Sequence, residues 1–186
     1  MTASQPTTQQ DAITLLTTDH QEVEQLFGQL ESQPPGPSQD EPVREVIREL
    51  SGHAAIEEQV LYPAMRSALP DGDALVEEAL QEHQQVKEAL AAIERSDSPN
   101  ARDALLRQLM ADVRHHVDEE EGELFPKLRE AVGPEGLQDL GEKLAAAKKM
   151  APTHPHPNAP NTPPGNIVGG AGAAVVDKVR DALRGS

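Results

Sequence analysis

Four stretches of the chain carry apolar or ligand-type residues at alternating spacings of three and four. The first reads Ile13, Leu16, His20, Val23, Phe27, Leu30. The second reads Val43, Val46, Leu50, His53, Glu57, Val60. The third is Val76, Ala79, His83, Val86, Leu90, Ile93, and the fourth is Leu106, Leu109, Val113, His116, Glu120. Such spacing places each set on one face of an amphipathic helix. The predicted helices cover about residues 11–31, 40–69, 73–95 and 101–132. Asp40 is expected to cap the second. Pro63 and Pro126 are expected to kink the second and fourth, because proline lacks a donor and its ring clashes with the preceding turn.

Punctuation between the stripes supports the division. SQPPGPSQ (32–39), Pro70-Asp-Gly-Asp and Ser96–Asn100 read as loops. Gly133-Pro134 ends the fourth helix, and a shorter fifth, about 135–149, presents Leu137, Leu140 and Leu144. Residues 1–10 are polar and expected to be disordered, so the bundle spans 11–150. Residues 151–170 are rich in Pro and Gly and read as an extended linker. Residues 171–186 form a short amphipathic helix through Val175, Val179 and Leu183, marginal by itself. Short loops make neighbours antiparallel. The expected fold is therefore all-α: an up-down-up-down four-helix bundle with a short fifth helix and a flexible C-terminal extension.

The stripes contain a repeat. His53-Ala-Ala-Ile-Glu57-Glu-Gln-Val-Leu-Tyr-Pro63 returns as His116-Val-Asp-Glu-Glu120-Glu-Gly-Glu-Leu-Phe-Pro126, an offset of 63 residues. Asp19-His20-Gln21 and Glu82-His83-Gln84 repeat at the same offset. At about 1.5 Å rise per residue, His20, His53, Glu57, His83, His116 and Glu120 all fall at one level of the bundle. A lone carboxylate in an apolar core costs several kcal/mol, as an order of magnitude. Two carboxylates and four imidazoles on core stripes call for cations, and mixed imidazole and carboxylate ligation suits iron, manganese or zinc.

Composition narrows the partners. The chain has 186 residues, 37% hydrophobic and 2% aromatic, with a net charge of −16. That charge argues against direct nucleic-acid binding, which needs Lys and Arg, and against anionic membranes. The chain has no cysteine, which excludes disulfides and thiolate metal sites. No apolar run reaches the roughly 18 residues of a membrane span. The N-terminus does not read as a signal peptide, and the expected location is cytoplasmic.

A lone His, His-x-x-x-Glu, a lone His and a second His-x-x-x-Glu, with the Leu61-Tyr62-Pro63 and Leu124-Phe125-Pro126 flanks, resemble the hemerythrin-like (HHE cation-binding) domain over about residues 11–132. The resemblance implies two non-haem iron ions, oxo- or hydroxo-bridged, with Glu57 and Glu120 bridging. His20, His53, His83 and His116 would be terminal ligands. It also implies a small diatomic or peroxide ligand, or a role in sensing iron or redox state. Oxygen-carrying members have a further His four residues after the helix-three His, where this chain has Lys87. Freed coordination space there motivates an alternative, a di-iron enzyme with peroxide-decomposing (catalase-like) or oxidase activity. A third reading is a structural metal module whose C-terminal helix docks a partner. Around the six residues, Glu58 and Glu121 read equally as groups orienting a histidine or as exposed helix residues. Tyr62 reads as packing rather than as a phenol reaching the metal. Lys87 reads as snorkelling, His115 as surface, and His154 and His156 as part of a disordered tail.

Overall fold

The computed structural model describes residues 10–162 and 165–184, without the side chains of 167–171, 179, 183 and 184. The expected disorder of the N-terminus falls on residues 1–9, outside the described residues, as do the side chains of Val179 and Leu183.

Helix α1 is Ala12–Ser32, started by Asp11, whose carboxylate accepts from the Thr14 N–H at 2.9 Å. A 3-10 turn, Pro37–Gln39, leads into α2, Asp40–Ile56. Gln39 rather than Asp40 occupies the capping position. The Asp40 carboxylate instead meets Arg102 at 2.7 Å and so ties the start of α2 to the first turn of α5. Then come α3, Tyr62–Ala68; α4, Gly72–Arg95; α5, Pro99–Glu119; and α6, Phe125–Lys148. Gly133, at φ 66° and ψ 179°, breaks α6, as Gly-Pro led one to expect. Beyond the break, Leu137, Leu140 and Leu144 are buried. Gly141 allows that segment to pass the start of α1, where a Cβ would lie 2.3 Å from the Gln10 carbonyl oxygen. Helices α1, α2, α4 and α5 make the antiparallel bundle, and no strand occurs among the described residues.

The prolines do not simply kink their helices. Each is preceded by a π turn, Glu57–Leu61 before Pro63 and Glu120–Leu124 before Pro126. The Tyr62 N–H donates to the Glu57 carbonyl and the Phe125 N–H to the Glu120 carbonyl, both five residues back. The wider turn inserts one residue without breaking the helix. It also advances the inward face by one position. Val60, expected on the core stripe, is only half-buried, whereas Leu61 and Tyr62 are buried, as are Leu124 and Phe125 in the repeat.

The apolar core is in two parts. One holds Leu16, Ile56, Leu61, Met65, Val76, Leu128 and their neighbours. The other holds Phe27, Val46, Leu90, Leu106, Leu109 and theirs. The histidines and glutamates form the layer between them.

The Pro-rich stretch has no regular structure up to Thr162, but it lies on the bundle. Gln84 donates to the Pro157 carbonyl at 3.1 Å, and Lys87 to the Asn161 side-chain oxygen at 3.0 Å. Prolines prevent repeating hydrogen bonds, not packing. Helix α7, Gly165–Arg184, begins six residues earlier than the sequence indicates and rests on the Glu57–Leu61 turn. Asn166 donates to the Glu58 carbonyl at 3.0 Å. Ala174 and Asp177 are buried, so one face of α7 is taken by this chain itself. His154 is buried between Glu94 and Asp181 at 2.7 Å each, and His156 meets Asp177. These two histidines are thus structural contacts of the tail.

Candidate metal centre

All six sequence-selected residues converge. His20 comes from the middle of α1 and His83 from the middle of α4; His53 and His116 come from the last turns of α2 and α5. Glu57 and Glu120 are the first residues of the two π turns and are fully buried. Each carboxylate splits its oxygens between the two hairpins' histidines. For Glu57, one oxygen is 3.2 Å from His53 Nε2 and the other 3.3 Å from His83 Nε2. For Glu120, one is 3.4 Å from His20 Nε2 and the other 3.5 Å from His116 Nε2. The paired imidazoles are also close: His20 and His53 Nε2 are 3.1 Å apart, as are His83 and His116 Nε2.

Two groups of donors result: His20, His53, Glu57 and Glu120 in one, and Glu57, His83 and His116 in the other. Donors about 3 Å apart are at the separation expected of neighbours around one ion with bonds near 2.1 Å. Both Glu57 oxygens and one Glu120 oxygen are buried without a hydrogen-bond donor. Orphaned buried carboxylate oxygens are costly, and the donor set fits a pair of cations such as iron.

Three of the four imidazoles are held from behind through Nδ1, and the fourth, His53, faces a carboxylate there without a hydrogen bond. Glu121 holds His20 at 2.8 Å, and Glu58 holds His83 at 3.1 Å. Asp19 faces His53 at 3.5 Å, and Glu82 holds His116 at 2.6 Å. Such carboxylates fix tautomer and ring orientation so that Nε2 points inward. Glu58 and Glu121 therefore orient histidines. Asp19 and Glu82 were not singled out from sequence, although both stand in the repeated segment beside His20 and His83.

The proton balance of the cation-free chain is distinctive. Burial disfavours the His53 imidazolium, but Glu57 and Asp19 outweigh it and push its pKa up to about 10. Burial opposed by Glu57 and Glu58 leaves that of His83 at about 9. His20 is also raised, burial being overcome by Glu120. Glu57 is held well below the carboxylate range, burial being outweighed by His53 and His83. Protons on imidazole occupy the places that cations would take.

Two neighbours differ from expectation. The Tyr62 hydroxyl reaches the centre, 2.9 Å from His83 Nε2, and donates to Glu120 at 3.2 Å. The π turn rotates it there. Burial and the Glu120 charge raise its pKa well above the usual phenol value. Its counterpart Phe125 stacks on His20, centroids 5.9 Å apart. Lys87 neither snorkels nor overhangs the centre: it is buried, and its ammonium binds both Glu58 oxygens at 2.6 and 2.8 Å. His115 is exposed, near Glu119 at 3.4 Å.

A four-helix bundle with doubled His and Glu clusters compatible with metal binding defines a cation-binding helical domain. Residues 11–128 match the hemerythrin HHE cation binding domain, and the chain belongs to that family. It is 36% identical over 140 residues to an uncharacterized hemerythrin-like protein of Schizosaccharomyces pombe, covering 74% of this chain and 68% of the relative. It is 33% identical over 132 residues to a DNA nickase of Nostoc, covering 70% of this chain but only 37% of that protein. The crystal structure of a hemerythrin HHE cation binding domain-containing protein from Mycobacterium kansasii superposes with a TM-score of 0.65 at 26% identity, covering 75% and 86% of the two chains. No described helix is long and apolar enough to cross a membrane.

Proposed function

We propose that the chain is a non-haem di-iron protein that binds a small oxygen- or nitrogen-containing ligand: O2, nitric oxide or peroxide. His20, His53, Glu57, His83, His116 and Glu120 would hold the iron. The observation that carries the reading is the pair of fully buried carboxylates, Glu57 and Glu120, set between the histidines. Each divides its oxygens between the two hairpins, and three of the four oxygens lack a hydrogen-bond donor.

Iron, when bound, supplies the redox-active Lewis acid that these ligands require. The chain's residues do the remaining work. Glu58, Glu82 and Glu121 hold the Nδ1 protons of His83, His116 and His20 and keep Nε2 available, while Asp19 lies 3.5 Å from His53 Nδ1. Tyr62 offers a hydroxyl proton at the His83–Glu120 edge. The apolar half of the core around Leu16, Ile56, Leu61 and Leu128 closes one side of the layer.

Metal analysis and absorption spectroscopy of air-purified protein test the proposal. About two irons per chain are expected, with near-ultraviolet charge-transfer bands that Glu57→Ala and Glu120→Ala abolish. A colourless protein holding about one zinc refutes it.

A further inference from the structure

A cavity of about 280 Å³ opens beside the centre. One wall is made of the imidazoles of His20, His53, His83 and His116, drawn from both halves of the site. The remaining walls are apolar and include Val23, Phe27, Leu50, Val86, Val113 and Val117. The mouth is the solvent-exposed part of the lining, Gln21, Glu24, Asp118 and Glu121, with the half-buried Arg114.

The volume is far more than a diatomic ligand fills. An apolar cavity of roughly 150 Å³ accommodates a benzene ring. By that scale the space here takes about ten to twelve heavy atoms. Its lining is mostly hydrocarbon, with the imidazoles as its convergent polar groups, a division typical of sites for small organic molecules. The mouth selects against anions. Three carboxylates surround it, and its one cation is already committed. Arg114 binds Glu24 at 2.8 and 2.9 Å and Glu31 at 2.9 Å, with its guanidinium 5.6 Å from the Phe27 ring centroid. A fatty-acid carboxylate would find no unpaired cation among these groups.

The geometry points to a binding subsite for a neutral, apolar organic hydroperoxide, its oxygen end toward the four histidines and its hydrocarbon along the valine walls. This assignment rests on the reading of the centre as one that receives O2 or peroxide; it names the substrate class as organic rather than inorganic peroxide. Cumene hydroperoxide, at about eleven heavy atoms, matches the cavity on the same scale.

The unreactive alcohol of that compound, 2-phenyl-2-propanol, separates binding from turnover. Iron-loaded full-length protein titrated calorimetrically at several temperatures is expected to bind one alcohol per chain saturably. The heat-capacity change should be negative, as for burial of apolar surface. Val113→Phe should weaken binding at least tenfold while leaving iron content and absorption unchanged. Val117→Phe, at a half-buried position of the same wall, gives a second filling variant should the first not fold. Absence of saturable binding, or equal affinity in wild type and the folded filling variants, overturns the proposal. Iron and absorbance measured on the same samples keep the two readings apart. Iron present with no alcohol bound sinks the subsite alone. Alcohol bound saturably by a chain that takes no iron sinks the di-iron reading and the peroxide assignment with it, and leaves a site for a small apolar organic molecule.

Discussion

Removing the cations should make the stability of this bundle fall steeply between pH 7 and 9. In the cation-free chain His53 titrates near 10 and His83 near 9, against about 6.5 in an unfolded chain. A raised folded-state value means that the folded chain holds protons the unfolded chain has lost. The stabilisation is complete below pH 6.5 and disappears as pH rises through 9 to 10. For His53 alone the difference corresponds to about 5 kcal/mol at 1.36 kcal/mol per pH unit, as an order of magnitude. His83 would contribute about 3 kcal/mol on the same basis, but both draw on Glu57, so the two do not add. Glu57 is held well below its ordinary range; it stays ionised in both states above pH 7 and leaves the slope unchanged. One to two protons then give a loss of about 1.4 to 2.7 kcal/mol per pH unit. Typical domains are stable by only about 5–15 kcal/mol. With about 2 kcal/mol per molar for the urea dependence, the midpoint of chelator-treated protein should drop by about 1.4 to 2.7 M between pH 7 and 9. Protein in excess iron should show a flat profile there, because a ligating Nε2 carries no proton in either state. A cation-free midpoint independent of pH, or the same slope with and without metal, refutes the reasoning.

Three further outcomes follow from the same contacts. Iron(II) added to cation-free protein at pH 7.5 should release about two protons per chain, those of His53 and His83; an indicator dye in weak buffer reads this, and no release contradicts the charged pair. Tyr62→Phe removes a donor from Glu120 inside a buried layer and should cost cation-free protein about 1.5–3 kcal/mol by urea denaturation; no change would mean the hydroxyl is not engaged. Lys87→Met leaves the Glu58 charge buried without its ammonium and should cost about 3–5 kcal/mol, whereas Lys87→Arg should lose less; equal, negligible losses would place Lys87 in solvent.

The sequence displayed what depends on spacing. Four stripes with a common phase, doubled at one offset, were enough to set the helices, their antiparallel order and the shared level of His20, His53, Glu57, His83, His116 and Glu120. It did not display what depends on departures from the ideal helix. Pro63 and Pro126 were visible, but a period of 3.6 has no place for an inserted residue. Val60 therefore took the core position that Leu61 holds, and Tyr62 was turned away from a centre it touches. Asp19 and Glu82 were visible too, one position off the stripe. Their role needs the direction of a side chain across to a neighbouring helix, which no count along one chain supplies. Lys87 was misplaced for a third reason. Its burial against Glu58 and Asn161 requires the segment after Met150 to lie on the bundle, and a run of prolines records only that the segment cannot form helix or sheet.

Duplication supplies two matching ligand sets, yet their surroundings have diverged. Positions 62 and 125 face the centre as a phenol and a phenyl ring. Glu58 is 3% exposed and clamped by Lys87, whereas the matching Glu121 side chain is 39% exposed. At the position of Lys87, the first hairpin has Glu24, which turns outward to Arg114. The His83 side therefore carries a buried charged chain from Lys87 through Glu58 to the imidazole, with a hydroxyl on the far side of the ring. The His20 side has a solvent-screened carboxylate behind the ring and an aromatic face against it. A carboxylate fixed in a dry environment polarises its imidazole more than one shared with water does. On the proposed di-iron reading the two cation positions would therefore be inequivalent, with the stronger imidazole donor of the lone-histidine pair at His83, where Tyr62 also offers a proton.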